Sequence, residues 1–271
     1  MLINSVTAVY FSPTGTSKKI MNAIINGIGA EDNEIIDITL PQTRKKDISL
    51  IKGDIVLIGV PVYEESIPKI LNQFLTNLKG EDKPVVVVGV YGNISEGIVL
   101  NELYSIASES GFKVVAAATF IGEHSFSSKE LPVAENRPDK NDLNKAVEFG
   151  QNIMKKMQKI TNLNDASIMI PQGKLPLIAK VLPVDSARLF TKKPDVDKSV
   201  CNHCNVCVRS CPVGAINKET LEINEELCLR CFSCVKRCKK KARKIIYRPK
   251  FVVANVLKIK SRADKEPKIF L

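Results

Sequence analysis

The first 160 residues alternate short apolar runs with amphipathic stretches. The runs are Val6 to Phe11, Ile35 to Ile38, Ile55 to Val62, Val85 to Val90 and Val114 to Phe120. Several are continuous and rich in Val and Ile, the pattern of strands buried on both faces. Helix-like segments lie between them, near Ser17–Ile28, Ile67–Leu78, Ser95–Ser110 and Asp142–Lys159. In the last, Leu143, Ala146, Val147, Gly150 and Met154 share one face, and Asp142 is placed to cap the helix. Strand–helix alternation predicts an α/β fold, an open parallel sheet of five strands covered on both sides by helices.

After residue 160 the pattern breaks. Residues 161–197 contain Pro171, Pro176, Pro183 and Pro194, which exclude a long element and predict a linker with one short helix between Leu175 and Leu189. The apolar stretch from Ile168 to Val184 is interrupted by Gly173, Lys174, Lys180 and these prolines. It falls short of the roughly 20 apolar residues needed to span a bilayer, and no signal peptide is expected. Residues 198–245 form a second, cysteine-bearing unit, and 246–271 a basic tail with an apolar, strand-like patch at Phe251 to Val256.

All eight cysteines sit in that second unit, written twice as C-x-x-C-x-x-C-x-x-x-C. The first run is Cys201, Cys204, Cys207 and Cys211; the second is Cys228, Cys231, Cys234 and Cys238, displaced by 27 residues. Thiols at ligand spacing in a reducing compartment read as metal ligands, which predicts a cytoplasmic protein. Structural zinc takes two well-separated Cys pairs and has no need of a third cysteine at the same short spacing. The runs are similar to the bacterial two-cluster ferredoxin pattern, in which the fourth cysteine of each run crosses to the other cluster. That resemblance implies one [4Fe–4S] cluster on Cys201, Cys204, Cys207 and Cys238, and a second on Cys228, Cys231, Cys234 and Cys211. Pro212-Val213-Gly214-Ala215-Ile216 matches the ferredoxin turn after the first run, whereas the second run ends Cys238-Lys239 without the proline.

The loop after the first apolar run is Ser12-Pro13-Thr14-Gly15-Thr16-Ser17, followed by a helix. Hydroxyls and free N–H groups at a helix start suit a phosphate monoester, and Gly15 permits a tight bend. A Walker A sequence is missing, and Gly27-Ile28-Gly29 ends a helix where a dinucleotide fingerprint opens one. Residues 12–17 resemble the flavodoxin loop that binds the FMN phosphate. Flavodoxins place further flavin contacts after the third and fourth strands, here Pro61-Val62-Tyr63 and Tyr91-Gly92-Asn93. Tyr63 and Tyr91 are then candidates to stack on the flavin ring. His124, after the fifth strand, is a candidate to hydrogen-bond the flavin or carry a proton, as a group titrating near neutrality can.

The chain thus resembles the flavodoxin–ferredoxin fusion proteins over residues 1–245. The resemblance implies a flavodoxin-like domain over 1–160 and a small α+β two-cluster ferredoxin domain over 198–245. It implies FMN and two [4Fe–4S] clusters, and passage of single electrons among them in anaerobic metabolism. The alternatives are an FMN-dependent reductase of a small substrate fed by the clusters, and a simple ferredoxin with a flavin-free N-terminal domain. The chain contains no Trp, which flavodoxins often use at the flavin.

Charge sharpens the division. Residues 1–160 carry 17 Lys+Arg against 19 Asp+Glu, and residues 161–271 carry 23 against 10. From Lys236 to Lys250 there are nine basic residues and no acidic one. That surface is expected to steer an acidic redox partner protein. Without a nucleic-acid-binding motif, nucleic acid is not an expected ligand.

Overall fold

The computed structural model describes residues 1–175 and 186–271. Part of the helix expected between Leu175 and Leu189 lies outside the described residues; within them, only the short α6 named below falls in that interval. The N-terminal elements are β1 (Ser5–Tyr10), α1 (Thr16–Ile28), β2 (Asp32–Asp37), α2 (Pro41–Arg44), β3 (Ile55–Pro61), α3 (Asn72–Thr76), β4 (Pro84–Tyr91), α4 (Val99–Glu109), β5 (Lys113–Ile121) and α5 (Lys140–Lys159). The C-terminal elements are α6 (Ala187–Phe190), α7 (Val206–Arg209), α8 (Ser233–Lys236), α9 (Lys250–Lys260) and β6 (Lys268–Phe270).

The sheet order is β2-β1-β3-β4-β5-β6, with the first five strands parallel. The five expected strands therefore form, in the doubly wound order whose ligands bind where the strand order reverses, beside β1 and β3. One face packs against α1 and α5 through Tyr10, Ile24, Phe120 and Phe149. The other packs against α3 and α4 through Val56, Ile58, Phe74 and Leu103. Helices α1 and α5 touch backbone to backbone: a Cβ on Gly27 would lie 2.0 Å from the Val147 carbonyl oxygen. Helix α5 begins at Lys140, three residues before the start that a cap at Asp142 would give. Its cap is Asp139, which accepts from the Asp142 N–H, while the Asp142 carboxylate accepts from the Asp139 N–H. That reciprocal pair is a capping box.

The helix expected over Ile67–Leu78 shrinks to a 3-10 turn at Lys69–Leu71 and the short α3. The tail departs furthest from expectation. Phe251 to Val256 lies inside a helix, α9, whose Val253 and Leu257 are buried one turn apart. A short apolar run does not by itself separate strand from helix. The last residues then return as β6, antiparallel to β5, and make a sixth strand. Among the described residues, no helix is long and apolar enough to cross a membrane.

The cysteine-bearing unit repeats itself in its backbone. Helices α7 and α8 are related by the 27-residue offset of the runs. Positive φ recurs at His203 and Arg230 (54° and 55°), Asn205 and Phe232 (55° and 56°), and Gly214 and Lys241 (63° and 54°). Short antiparallel bridges, Ile216 with Ile223 and Val196 with Arg243, close the unit.

Candidate flavin and cluster sites

At the end of β1 the chain bends under a backbone hydrogen bond, Gly15 N–H to the Ser12 carbonyl at 3.2 Å. Gly15 has φ of 94°, in the region that L side chains rarely adopt. Ser12 is fixed on both sides: its N–H donates to Thr39 Oγ1 at 2.8 Å, and its Oγ accepts from the Lys18 N–H at 2.9 Å. The N–H groups of Thr14, Thr16 and Ser17 have no partner among the described residues. The Ser17 hydroxyl is buried without a partner as well. Unpaired donors at the positive end of a 13-residue helix, the buried Ser17 hydroxyl among them, fit a bound phosphate.

A cavity of about 500 Å³ opens beside the carboxyl ends of the strands. Val62 and Tyr63 after β3, Ile94 after β4 and His124 after β5 stand in its wall. On the far side the wall is Cys228, Leu229 and Arg230, and α9 roofs it with Val252, Val253, Val256 and Leu257. Tyr63 opens a tight turn, exchanging hydrogen bonds of 3.0 and 3.1 Å with Ser66 across Glu64 and Glu65, both at positive φ. Burial, followed by the nearby Cys231, holds the Tyr63 hydroxyl well above the usual phenol range.

His124 Nδ1 accepts from the Phe126 N–H at 3.0 Å, so the proton of the neutral ring is on Nε2. Burial and then Lys236 push its pKa down to about 4. The ring is therefore a neutral donor at physiological pH, where the sequence suggested a group titrating near neutrality. A side chain whose folded pKa lies below its unfolded value of about 6.5 stabilises the fold fully above that value. Between pH 6.5 and 4 the chain is expected to lose about 2 kcal/mol of stability through this ring, allowing for solvent at a half-buried site. Urea unfolding across that range, run beside His124→Gln, checks it. The variant's curve should be flatter, and parallel curves would refute the assignment.

Tyr91, Gly92 and Asn93 are not in the cavity wall. Tyr91 is 2% exposed, with Lys265 Nζ over its ring at 5.9 Å, so neither its position nor that face is open for stacking. Gly92 lets His124 approach: a Cβ there would fall 2.4 Å from His124 Cδ2. Asn93 clasps the tail, donating to the carbonyls of Ser261 and Ala263 and accepting from the Lys265 N–H. Ion pairs Lys268–Glu96 and Arg137–Asp264 continue the clasp, which fixes α9 over the cavity.

The cysteines divide by depth. Cys204 is exposed, while Cys207, Cys211, Cys231 and Cys234 are buried. One small cavity is walled by Cys211, Cys228, Cys231 and Cys234 together, the last cysteine of the first run beside three of the second. Burial pushes the Cys231 thiol up to about 12 and raises Cys234 as well. Such thiols act as ligands when bound iron supplies the compensating charge. The alanines that repeat after each run have a structural use: Ala215 N–H donates to Cys211 Sγ at 3.2 Å and Ala242 N–H to Cys238 Sγ at 3.3 Å. Among the described residues, no three His, Cys, Asp or Glu side chains gather as the cage of a single metal ion.

The two units meet through the second cysteine run. Ser233, between Cys231 and Cys234, donates through Oγ to the Pro13 carbonyl at 2.7 Å, and Arg237 Nε adds a bond at 3.2 Å. Lys236 pairs with Glu123 at 2.8 Å, and Phe126 meets Phe232 edge to face at 5.4 Å. Arg44 sits 5.7 Å over the Phe11 ring and donates to the Pro212 carbonyl. The basic run is therefore not one free surface. Lys236 and Arg237 fasten the units, Arg243 is buried, and Lys250 pairs with Glu130. Lys239, Lys240, Lys241, Lys244 and Arg248 are exposed. Arg44 and Ser233 drew no attention in the sequence, and Arg237 was read only as one charge of the basic run; nothing there marks a residue that works across 168 to 224 positions.

The flavodoxin domain family matches residues 8–97, and the 4Fe-4S dicluster domain family matches residues 193–239. Over 55 residues the chain is 42% identical to pyruvate synthase subunit PorD of Methanothermobacter marburgensis, a stretch covering 20% of this chain and 67% of that protein. Among solved structures, a flavodoxin from the domain Archaea aligns at 18% identity and a TM-score of 0.41, over 57% of this chain and 99% of that one. Oxidised Flavodoxin 1 from Bacillus cereus aligns at 17% identity and a TM-score of 0.44, over 56% of this chain and 97% of that one. The parallel sheet, matched by the flavodoxin domain family and followed by a matched 4Fe-4S dicluster segment, gives this chain a flavodoxin–ferredoxin arrangement, a flavodoxin domain joined to a 4Fe-4S dicluster domain.

Proposed function

We propose that the chain is an electron carrier that holds FMN at the N-terminal sheet edge and two [4Fe–4S] clusters in the C-terminal unit. One cluster takes Cys201, Cys204, Cys207 and Cys238; the other takes Cys228, Cys231, Cys234 and Cys211. A single observation carries the reading: Cys228, Leu229 and Arg230 stand in the wall of both the large cavity and the cysteine cavity. When bound, the flavin supplies a centre for one or two electrons and the clusters supply one-electron centres.

The chain's own residues bind, orient and exclude. Thr14, Thr16 and Ser17 offer hydroxyls and free N–H groups to the phosphate. Tyr63 and the Nε2–H of His124 face the ring from the cavity wall. Val253 and Leu257 of α9 stand in the cavity wall and narrow access to it, and internal transfer is the reading preferred over reduction of a free substrate. The exposed Cys204 marks the end of the chain of centres open to a partner. The exposed lysines 239–241 and 244 present positive charge to an acidic protein and speed encounter. Likeness to a pyruvate synthase subunit supports a redox enzyme as that partner, in the cytoplasm of an anaerobe.

Iron, sulfide and flavin content after reconstitution without oxygen tests the reading. About eight irons, eight sulfides and one FMN per chain are expected. Eight irons without flavin, even after FMN is added, would leave a ferredoxin beside an empty flavodoxin-like domain.

A further inference from the structure

Arg230 is an unusual residue to find where it is. Its side chain is 0% exposed, and it lies between two cluster cysteines, Cys228 and Cys231. Nε donates to the Thr191 carbonyl at 3.4 Å, and one terminal nitrogen meets Glu225 Oε1 at 2.5 Å. The other, NH1, is buried without a partner among the described residues. A guanidinium left with an unpaired buried N–H costs the fold free energy unless something absent from the bare chain receives it. The same residue lines both the cysteine cavity and the large cavity.

The internal repeat supplies a control. Position 203 of the first run corresponds to position 230 of the second, with matching φ of 54° and 55°. The first run carries His203 there, exposed to water; the second carries a buried arginine. The backbone does not demand Arg, so its choice belongs to the chemistry of the inner centre. Glu225 balances the charge only in part, because it is 59% exposed and water screens it, while the guanidinium is enclosed.

We propose that Arg230 is a positioning residue that sets the order of the two clusters' potentials. It holds a fixed positive charge and a free N–H against the cluster on Cys211, Cys228, Cys231 and Cys234. This rests on the two-cluster reading given above. The reduced cluster is one unit more negative than the oxidised one, so a buried cation and a hydrogen bond to its sulfur favour the reduced form. An electron arriving at the outer cluster, the one with the exposed Cys204, then moves to the inner one. One centre is oxidised and the other reduced by a single electron, no bond is made or broken, and no proton is taken up. The arginine places the resting electron beside the large cavity, away from the surface at which a protein partner delivers it.

The experiment is a redox titration of the fully loaded chain, followed by the low-temperature electron paramagnetic signals of the clusters. In Arg230→Gln, one of the two potentials should fall and the other should hold. The shift should be about tenfold in the ratio of reduced to oxidised cluster, or 59 mV for one electron. Arg230→Lys keeps the charge and should move that potential by no more than about a third as much. Glu225→Gln leaves the arginine in place with its charge uncompensated, and should raise the same potential by about threefold in the ratio. Two loaded clusters with unmoved potentials in Arg230→Gln overturn the proposal, as does an equal shift of both. Should Arg230→Gln fail to load iron, Glu225→Gln decides, and an unmoved or lowered potential there overturns it. A wild-type chain that binds fewer than two clusters overturns the two-cluster reading first, and this proposal with it; that outcome is visible in the iron count before any potential is measured.

Discussion

Replacing Cys211 by Ser is expected to empty the inner cluster site and spare the outer one, although Cys211 belongs to the first run. The ground is geometric. Cys211 shares a small cavity with Cys228, Cys231 and Cys234, and is itself buried. Its sulfur is oriented by the Ala215 N–H at 3.2 Å. Cys204 belongs to the same run but is exposed and absent from that cavity wall. If the runs cross over, Cys204→Ser and Cys211→Ser each leave about four of eight irons, but on different cysteines. The two half-loaded chains should then differ in paramagnetic signal and in potential, because one surviving cluster is exposed and the other is beside Arg230. Bound flavin should still be reduced promptly in Cys204→Ser when a one-electron donor is added, and only slowly in Cys211→Ser. If each run instead fills its own cluster, both variants lose the same one, and their residual signals coincide. Coincident signals would sink the assignment of Cys211.

The features legible in the sequence were those encoded locally. Predominantly apolar runs marked β1, β3, β4 and β5 to within a residue or two, because a strand covered on both faces has no polar alternation to maintain. The tight bend at Gly15 ahead of a helix was legible since the loop's small polar residues and its glycine are contiguous. What failed to show was whatever depends on distant chain. Tyr91 had the look of a stacking residue at a strand end, but it is 2% exposed and its ring lies under Lys265, brought there by the tail. The tail's own role was hidden for the same reason: β6 has three residues and pairs with β5 across about 150 positions, a contact without a local period. Helix α9 was misread because a six-residue patch with five apolar positions fits either period, and only the buried Val253 and Leu257 reveal which one applies. The basic run misled in a different way. Nine like charges suggested one solvated face, yet Lys236, Arg237 and Lys250 are spent on the N-terminal domain. Charge counts along a chain do not show which cations face inward.

Removing the grip of Ser233 and Arg237 on Pro13 is expected to weaken FMN binding, though neither residue belongs to the flavodoxin domain. The Pro13 carbonyl belongs to the proposed phosphate loop, in which the N–H groups of Thr14, Thr16 and Ser17 have no partner among the described residues. Ser233 Oγ holds that carbonyl at 2.7 Å in a buried setting, and Arg237 Nε supports it at 3.2 Å. Ser233→Ala alone leaves Arg237 in place, and a small loss is expected. The double variant Ser233→Ala with Arg237→Ala strands a buried carbonyl, at a cost of about 1–3 kcal/mol. If half of that reaches the loop, the flavin dissociation constant rises roughly two- to tenfold. The quenching of flavin fluorescence on titration, with clusters loaded and oxygen excluded, measures it, and the two single variants complete a thermodynamic cycle. Coupling of this kind is reciprocal, so FMN should also protect the cysteine-bearing unit against urea by the same free energy. An unchanged dissociation constant in the double variant, with both clusters in place, would mean that the contact only glues the domains together. A loss in that range would mean that order at Cys231 and Cys234 is transmitted through Ser233 and Arg237 to the proposed phosphate loop, so that each centre helps to build the site of the next.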